Sequence, residues 1–421
     1  MQVKFTSLFD DAPQIPYSVV HKVFVSELGR PPSGPDGVFE IFEENAVASA
    51  SIAQVHKAKL WPKMGPDGNP EKEERWVAVK VQKPDVSKQM EWDLGAYRMV
   101  MWAFEHWAFD LPVYFVVGKS FTIFTSLVVP NSRPIEDFIS DHLRQELDFV
   151  REANNARQTA EFVAKEPMLR DKVYIPKVYP EYSTKKVMVA EWIDGVRLSD
   201  KPGIFRLMGE KQSLLLDQQS SFPDPLSATS LVASPISSPT SSLIMPDKPL
   251  NGGVKTIMQT MVELFSAQMF EWGWVHCDPH PGNVLIRPSP SNPRRPQVVL
   301  LDHGLYVRVP EDFKREWVRL WRAMLVGDYQ GVDAVTRGWG VGLPDLMASF
   351  TLMRPTILSR GRKKKEKKAN DAQREQTQYE KSVGMKAKLK EFLTDTDRMP
   401  KVLIFLSRNM RMVQGLSSLS T

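Results

Sequence analysis

His276-Cys277-Asp278-Pro279-His280-Pro281-Gly282-Asn283, followed by Asp302-His303-Gly304, is the stretch that decides the fold of this 421-residue chain. Phosphoryl transfer needs a carboxylate beside the attacking oxygen, then an Asn and an Asp to hold metal ions on the phosphates. Asp278, Asn283 and Asp302 supply those types, the first two within the spacing H-x-D-x-x-x-x-N. In such a site the metal-binding Asp follows a strand, a turn and a second strand, and opens an Asp-x-Gly turn. Residues 284–286, 287–296 and 298–301 read as that strand, turn and strand. Two other readings compete: a metal centre of His276, Cys277 and His280, all ligand types, and a plain polar turn. The context ahead of Asp302 weighs against both. His303 reads as a packing residue rather than a ligand.

A nucleotide also needs a cation on its phosphates. Val77-Ala78-Val79-Lys80-Val81 matches the V-A-I-K strand, whose lysine contacts the α/β-phosphates. A Lys in an apolar strand is costly without an anion, and Glu146, Asp148 and Glu152 downstream offer one. No G-x-G-x-x-G precedes Lys80. Ala48, Ser49, Ala50 and Ser51 stand in its place. Small residues let backbone approach phosphates, but Ala lacks the positive-φ freedom of Gly, which predicts a stiff loop. Val117-Gly118-Lys119-Ser120 is rejected as a P-loop, because Val113 stands where that motif demands Gly.

Around these motifs, strand and helix signals alternate. Residues 52–60 and 76–81 predict an antiparallel pair around a Pro/Gly tip at 64–75. Residues 140–165 predict a helix capped by Ser140 or Asp141. A strand follows at 187–193 and a helix at 256–272. Phe313, Trp317, Leu320, Trp321, Met324 and Leu325 form one helical stripe. Strands early and helices late imply an α+β protein of two lobes. Between Ser213 and Ser242 stand ten Ser and four Pro without period, which predicts a disordered insert.

Composition removes several classes. Hydrophobic residues make up 42%, enough for a large core. Lys+Arg exceed Asp+Glu by only 55 to 50, too little to imply nucleic acid. Cys277 alone excludes an internal disulfide framework. No apolar run reaches the roughly 18 residues of a spanning helix; Arg98, Glu105, Asp110 and Lys119 interrupt the nearest candidate. The first residues show neither a secretory nor a transit pattern. The run 360–368, with seven Lys/Arg, reads as a solvated face, with anionic lipid headgroups the functional alternative.

Four segments carry a wider likeness: 48–56 (Ala-Ser-Ala-Ser-Ile-Ala-Gln-Val-His), 77–84 (Val-Ala-Val-Lys-Val-Gln-Lys-Pro), 145–155 (Gln-Glu-Leu-Asp-Phe-Val-Arg-Glu-Ala-Asn-Asn) and 276–283. Together they resemble the UbiB/ADCK family of atypical kinases, over about 39–324. The resemblance implies a bilobal, protein-kinase-like α+β fold. Residues 1–38 would be a helical remnant and 39–195 the N-lobe, with an insertion at about 118–137. Residues 196–421 would be the C-lobe, with the insert at about 213–250. It implies a catalytic Asp278, a lysine Lys80 partnered by Glu146, and a family-specific acidic pair of Asp148 and Glu152. Asn283 and Asp302 would hold Mg2+. The Ala48–Ser51 loop and a hinge at 188–191, including Glu191, would bind ATP or ADP. Residues 301–306 look like the branch tied to mitochondrial inner-membrane lipid homeostasis, rather than the one most directly tied to coenzyme Q synthesis. The implied partners are the nucleotide and an anionic membrane surface or lipid-pathway proteins, with no nucleic acid. The family's K-x-G-Q segment has no match, Lys4 being followed by Phe-Thr-Ser, so the chain is expected to begin after that helix. Two other functions stand beside this one: a nucleotide-sensing scaffold, and a small-molecule phosphotransferase with the same motif spacing.

Overall fold

The computed structural model describes residues 12–64, 73–86, 147–210, 248–340 and 344–352, with single positions at 67, 92, 95, 145, 342, 356, 402, 403, 406 and 409. Glu146, the stretch 118–137 and the basic run 360–368 lie outside the described residues, as does the insert between 211 and 247.

The first half of the chain builds Tyr17–Leu28 (α1), Ile41–Phe42 (β1), Ala48–Ser49 (β2), Ala53–Lys59 (β3) and Trp76–Gln82 (β4). Phe149–Lys165 (α2), Val173–Tyr174 (β5) and Val187–Glu191 (β6) follow. One sheet runs β1-β3-β4-β6, with β2 beside β3. The predicted pair is antiparallel, Val55 lying opposite Lys80, and Lys80 in turn opposite Met188. Because side chains alternate along a strand, Val77, Val79 and Val81 all face one core. There they meet Val20, Val23 and Phe24 of α1, with Phe39 and Phe42. The residues before 39 supply four of the thirteen described buried residues of this core, so they are packed into it and not a remnant beside it. Ala78, Lys80 and Gln82 face the other way.

α2 begins at Phe149; Gln145 is helical as well, and the expected caps Ser140 and Asp141 lie outside the described residues. Asp148 caps it, accepting from the Val150 N–H, and Gln82 Nε2 donates to the Leu147 carbonyl at 2.8 Å. Its buried stripe of Phe149, Glu152, Ala156, Thr159 and Val163 turns to the protein interior.

The second half adds Val196–Arg197 (β7), Lys201–Met208 (α3), Gly253–Ser266 (α4), Trp274–His276 (β8), Val284–Ser289 (β9), Asn292–Leu300 (β10) and Tyr306–Arg308 (β11). Three helices follow: Glu311–Val326 (α5), Tyr329–Gly338 (α6) and Pro344–Leu352 (α7). A second sheet runs β5-β10-β9-β7. Val173 and Tyr174 pair with β10, so the boundary drawn at 195 is crossed by a strand. The expected turn at 287–296 is mostly strand as well. β9 extends to Ser289, and the register slips between Asn292 and Pro296, where the prolines cannot donate to a ladder. Ile257, Met261, Leu264 and Phe265 of α4 cover this sheet on Val284, Ile286, Val298 and Leu300. α4 runs into a π-turn at Ala267–Trp272, and Gly273 (φ 59°) turns the chain into β8, which pairs with β11. α5 buries Phe313, Trp317, Leu320 and Met324 as its stripe requires, but Leu325 is 75% exposed, one step past the buried arc. The architecture is α+β.

The ends of the insert are fastened together. Glu210 Oε1 accepts from the Val254 N–H at 2.9 Å and the Leu250 N–H reaches the Leu207 carbonyl at 3.0 Å. Leu250 is 3% exposed and belongs to the core, so the insert stops short of the boundary at 250. Replacing residues 211–247 by a short Gly/Ser linker is expected to move Tm by less than about 5 °C. Loop closure changes by well under ~2 kcal/mol, and ~1 kcal/mol shifts Tm by about 2–4 °C at this domain size. Calorimetry decides: a fall above about 10 °C means that the segment packs on the body.

Candidate functional site

β4 delivers Lys80 to the face opposite the valine core. Its Nζ donates to Glu152 Oε1 and Oε2 at 2.7 and 2.8 Å and to Asp302 Oδ2 at 3.1 Å, and lies 5.2 Å from the Phe149 ring centre. The Asp302 contact joins the two halves of the chain. Burial lowers the lysine's pKa, but Asp302 and Glu152 more than offset this and hold it above the ordinary lysine range. Burial raises Asp302, and Lys80 with the Gly304 N–H overturns that, leaving it well below the carboxylate range. Glu152 is pushed up, chiefly by burial and against the pull of Lys80.

The lysine's partner is thus Glu152, where the resemblance assigned Glu146. The cap explains it. Asp148 Oδ1 accepts from the Val150 N–H at 3.0 Å, so Asp148 is a helix cap. Glu152 then falls on the buried face with Phe149 and Ala156, while Glu146 precedes the cap. That phase was readable from the apolar stripe.

On the other side, His276 links the two catalytic segments. Its Nδ1 accepts from the Asp278 N–H at 3.1 Å and its Nε2–H donates to the Asp302 carbonyl at 3.1 Å. The Leu301 N–H reaches the Asn283 carbonyl at 2.9 Å, which brings Asn283 next to Asp302. Asp302 Oδ1 accepts from the Gly304 N–H at 2.9 Å, closing the expected Asp-x-Gly turn. Asp278 is exposed and Asp302 partly so. His303 is 2% exposed, with Nε2–H on the Leu300 carbonyl and Nδ1 accepting from the Tyr306 hydroxyl. Burial and the neighbouring His276 hold its pKa down to about 3, so it packs as a neutral ring.

The competing metal centre does not form. His276 spends both ring nitrogens as above, buried Cys277 points Sγ at the Val275 carbonyl, and His280 Nδ1 accepts from the Gly282 N–H. Among the described residues no three His, Cys, Asp or Glu side chains gather to hold an ion. Asn283 and Asp302, adjacent through the Leu301–Asn283 backbone bond, are oxygen-ligand types that suit a magnesium ion completed by phosphates and water rather than a standing protein cage.

The Ala/Ser loop is tied from outside. Lys83 Nζ donates to the carbonyls of Pro13 at 2.8 Å and Ala50 at 2.7 Å, and the Ala12 N–H reaches the Ser49 carbonyl at 3.1 Å. Gln54 exchanges hydrogen bonds with the Ile15 peptide. Ser49 is 5% exposed with its hydroxyl toward the Pro13 carbonyl, while Ala50 and Ser51 are exposed. Lys83 and Gln54 stand inside the segments 77–84 and 48–56 that carry the family likeness, but nothing in the sequence signalled these bonds. The expected hinge is paired backbone. Met188 and Ala190 pair with β4, the Val189 carbonyl accepts from Tyr179 and the Glu191 N–H donates to Lys177. The Glu191 carboxylate is engaged by the Tyr174 hydroxyl. The Trp192 N–H donates to the Trp76 carbonyl at 3.1 Å, so the paired backbone of the expected hinge runs past Glu191.

Comparison with known proteins fits this geometry. The ABC1 atypical kinase-like domain matches residues 7–219 and 249–336. The ABC1 family protein lscO of Purpureocillium lilacinum is 37% identical over 98% of this chain and 61% of its own length. An ABC1 family protein of Schizosaccharomyces pombe is 34% identical over 97% of this chain and 61% of its own. The AarF domain-containing protein kinase 1 of Xenopus laevis is 31% identical over 80% of this chain and 49% of its own. The chain thus spans about half to three-fifths of the length of these relatives.

Proposed function

The chain belongs to the ABC1 atypical kinase-like family, and from that premise we propose that it binds ATP or ADP with Mg2+ and transfers or hydrolyses the terminal phosphoryl group. The observation that carries this reading is the Lys80 bridge. One cation touches both the helix carboxylate Glu152 and the metal-ligand candidate Asp302, at 2.7 and 3.1 Å. Val55, Ala78 and Met188 share the face of Lys80 by strand alternation, an apolar plate for the base. Lys80 would neutralise phosphate charge, and Asp278, exposed on its loop, would orient the attacking hydroxyl or water and accept its proton. Mg2+ on Asn283 and Asp302 would supply charge neutralisation of the phosphates.

Titration of the full chain with a fluorescent ATP or ADP analogue tests this. Saturable binding that tightens with Mg2+, together with phosphate release, is the expected result; folded protein that binds no nucleotide overturns it. Action in mitochondrial lipid or coenzyme Q-related homeostasis extends the proposal on the likeness of residues 301–306 to that branch. Fractionation of a tagged chain checks the compartment, and its exclusion from mitochondria removes that extension.

A further inference from the structure

β8 carries the catalytic segment, and its other edge is held by side chains instead of a strand. β11 takes one side, with Tyr306 opposite His276 and the Cys277 N–H on the Leu305 carbonyl. On the opposite side, the His276 N–H donates to Gln268 Oε1 at 3.0 Å, and the His276 carbonyl accepts from Asn409 Nδ2 at 2.6 Å. Gln268 sits in the π-turn after α4, and Asn409 lies well beyond residue 336, where the family match ends. Both are 0% exposed. Together with the ring contacts to the Asp278 N–H and the Asp302 carbonyl, both backbone polar groups and both ring nitrogens of His276 are held.

The placement of Asn409 is part of a larger contact. Leu403 and Leu406 are buried in the cluster of Trp317, Leu320 and Val332, while Val402 packs on Cys277, Leu305 and Val307. The far C-terminal segment therefore lies directly behind the catalytic loop. Packing alone does not explain an asparagine there. Among the described residues its buried Oδ1 has no hydrogen-bond partner, nor has Nε2 of Gln268. A buried orphan polar atom is destabilising, and an apolar residue of similar size avoids it. What each amide supplies that leucine or methionine cannot is one directed hydrogen bond to the His276 peptide.

We infer that Asn409, with Gln268 opposite, is a positioning residue: the two amides fix the His276 peptide, and His276 in turn fixes Asp278 against Asp302. Turnover by the kinase-like core then depends on a residue outside the kinase-like match. The inference rests on the nucleotide-site reading for its effect on turnover, but not for its effect on the loop itself.

The test compares Asn409→Leu, Gln268→Met and Leu406→Ala in the full chain, with hydrogen exchange of 276–283 and steady-state Mg-ATP turnover. Folded Asn409→Leu is expected to exchange those amides at least about tenfold faster. Its kcat should fall by about tenfold or more with the nucleotide KM unchanged, the pattern of a bond that matters after binding. Leu406→Ala loosens the same segment but keeps the amide on His276, and should move both readouts clearly less than Asn409→Leu does. If Asn409→Leu does not fold, Gln268→Met releases the same peptide from its other side and decides. Wild-type exchange and kcat in either folded amide variant overturn the inference, as does Leu406→Ala reproducing both effects. A wild type without nucleotide binding or turnover sinks the functional reading instead, and the exchange comparison still decides the positioning role.

Discussion

Lys80→Met is expected to weaken nucleotide binding by at least about tenfold, roughly 1.4 kcal/mol, and to destabilise the free protein at the same time. The first effect follows from losing the phosphate cation. The second follows from Glu152, 1% exposed and bonded to Lys80 through both carboxylate oxygens. Removing one partner of a buried pair leaves an uncompensated charge and typically costs about 3–5 kcal/mol. The two effects separate in the double variant Lys80→Met/Glu152→Gln, which should regain most of the lost Tm and none of the affinity. The pH dependence has a definite sign. Burial already raises the Glu152 pKa in the folded state, and without Lys80 it rises further. Stability from a raised carboxyl is present below the unfolded value and lost as pH rises through the folded value. Lys80→Met should therefore lose more Tm relative to wild type at pH 8 than at pH 5. Equal losses at both pH values, with unchanged nucleotide affinity, would return Lys80 to an ordinary surface role.

The same triad shows where sequence reasoning reaches and where it stops. The placement of Asp278, Asn283 and Asp302 is legible because it is tied to short-range backbone geometry: a loop of fixed length and an Asx-type turn closed on Gly304. Lys80 is legible because a lone cation alternates with valines. The choice between Glu146 and Glu152 depends on helix phase, and phase depends on the cap. Once Asp148 is recognised as that cap, the spacing of Phe149, Glu152, Ala156 and Val163 settles the matter. Lys83 and Asn409 are a different case. Their partners are main-chain carbonyls at separations of 33, 70 and 133 residues. Every residue has a carbonyl, so nothing in the residue types announces such a bond. Ser49 is a related case, since its hydroxyl too goes to a main-chain carbonyl, that of Pro13, 36 residues away.

The largest effect on turnover is expected at Asp278, and its comparison with Asp302 separates chemistry from binding. Asp278 lies exposed on a loop that His276 holds through the Asp278 N–H, so its carboxylate can meet an acceptor without rearranging the backbone. Its work is felt mainly in the transition state. Asp278→Asn should bind Mg-nucleotide within about twofold of wild type and lose turnover by about 10²-fold or more. Asp302 differs in kind. One of its oxygens closes the turn on Gly304 and the other contacts Lys80 at 3.1 Å, which keeps it ionised and aimed at the phosphates. Asp302→Asn keeps the shape but loses the charge that opposes Lys80. Mg-dependent affinity should fall by about tenfold or more, and affinity without Mg2+ should change little. Both substitutions remove one negative charge, so a general electrostatic effect would make the two variants alike. Thermal shifts with and without Mg-nucleotide, paired with phosphate release, resolve them. Full turnover by Asp278→Asn, or wild-type Mg-nucleotide affinity in Asp302→Asn, would end these assignments, because each role predicts the loss that the other variant should lack.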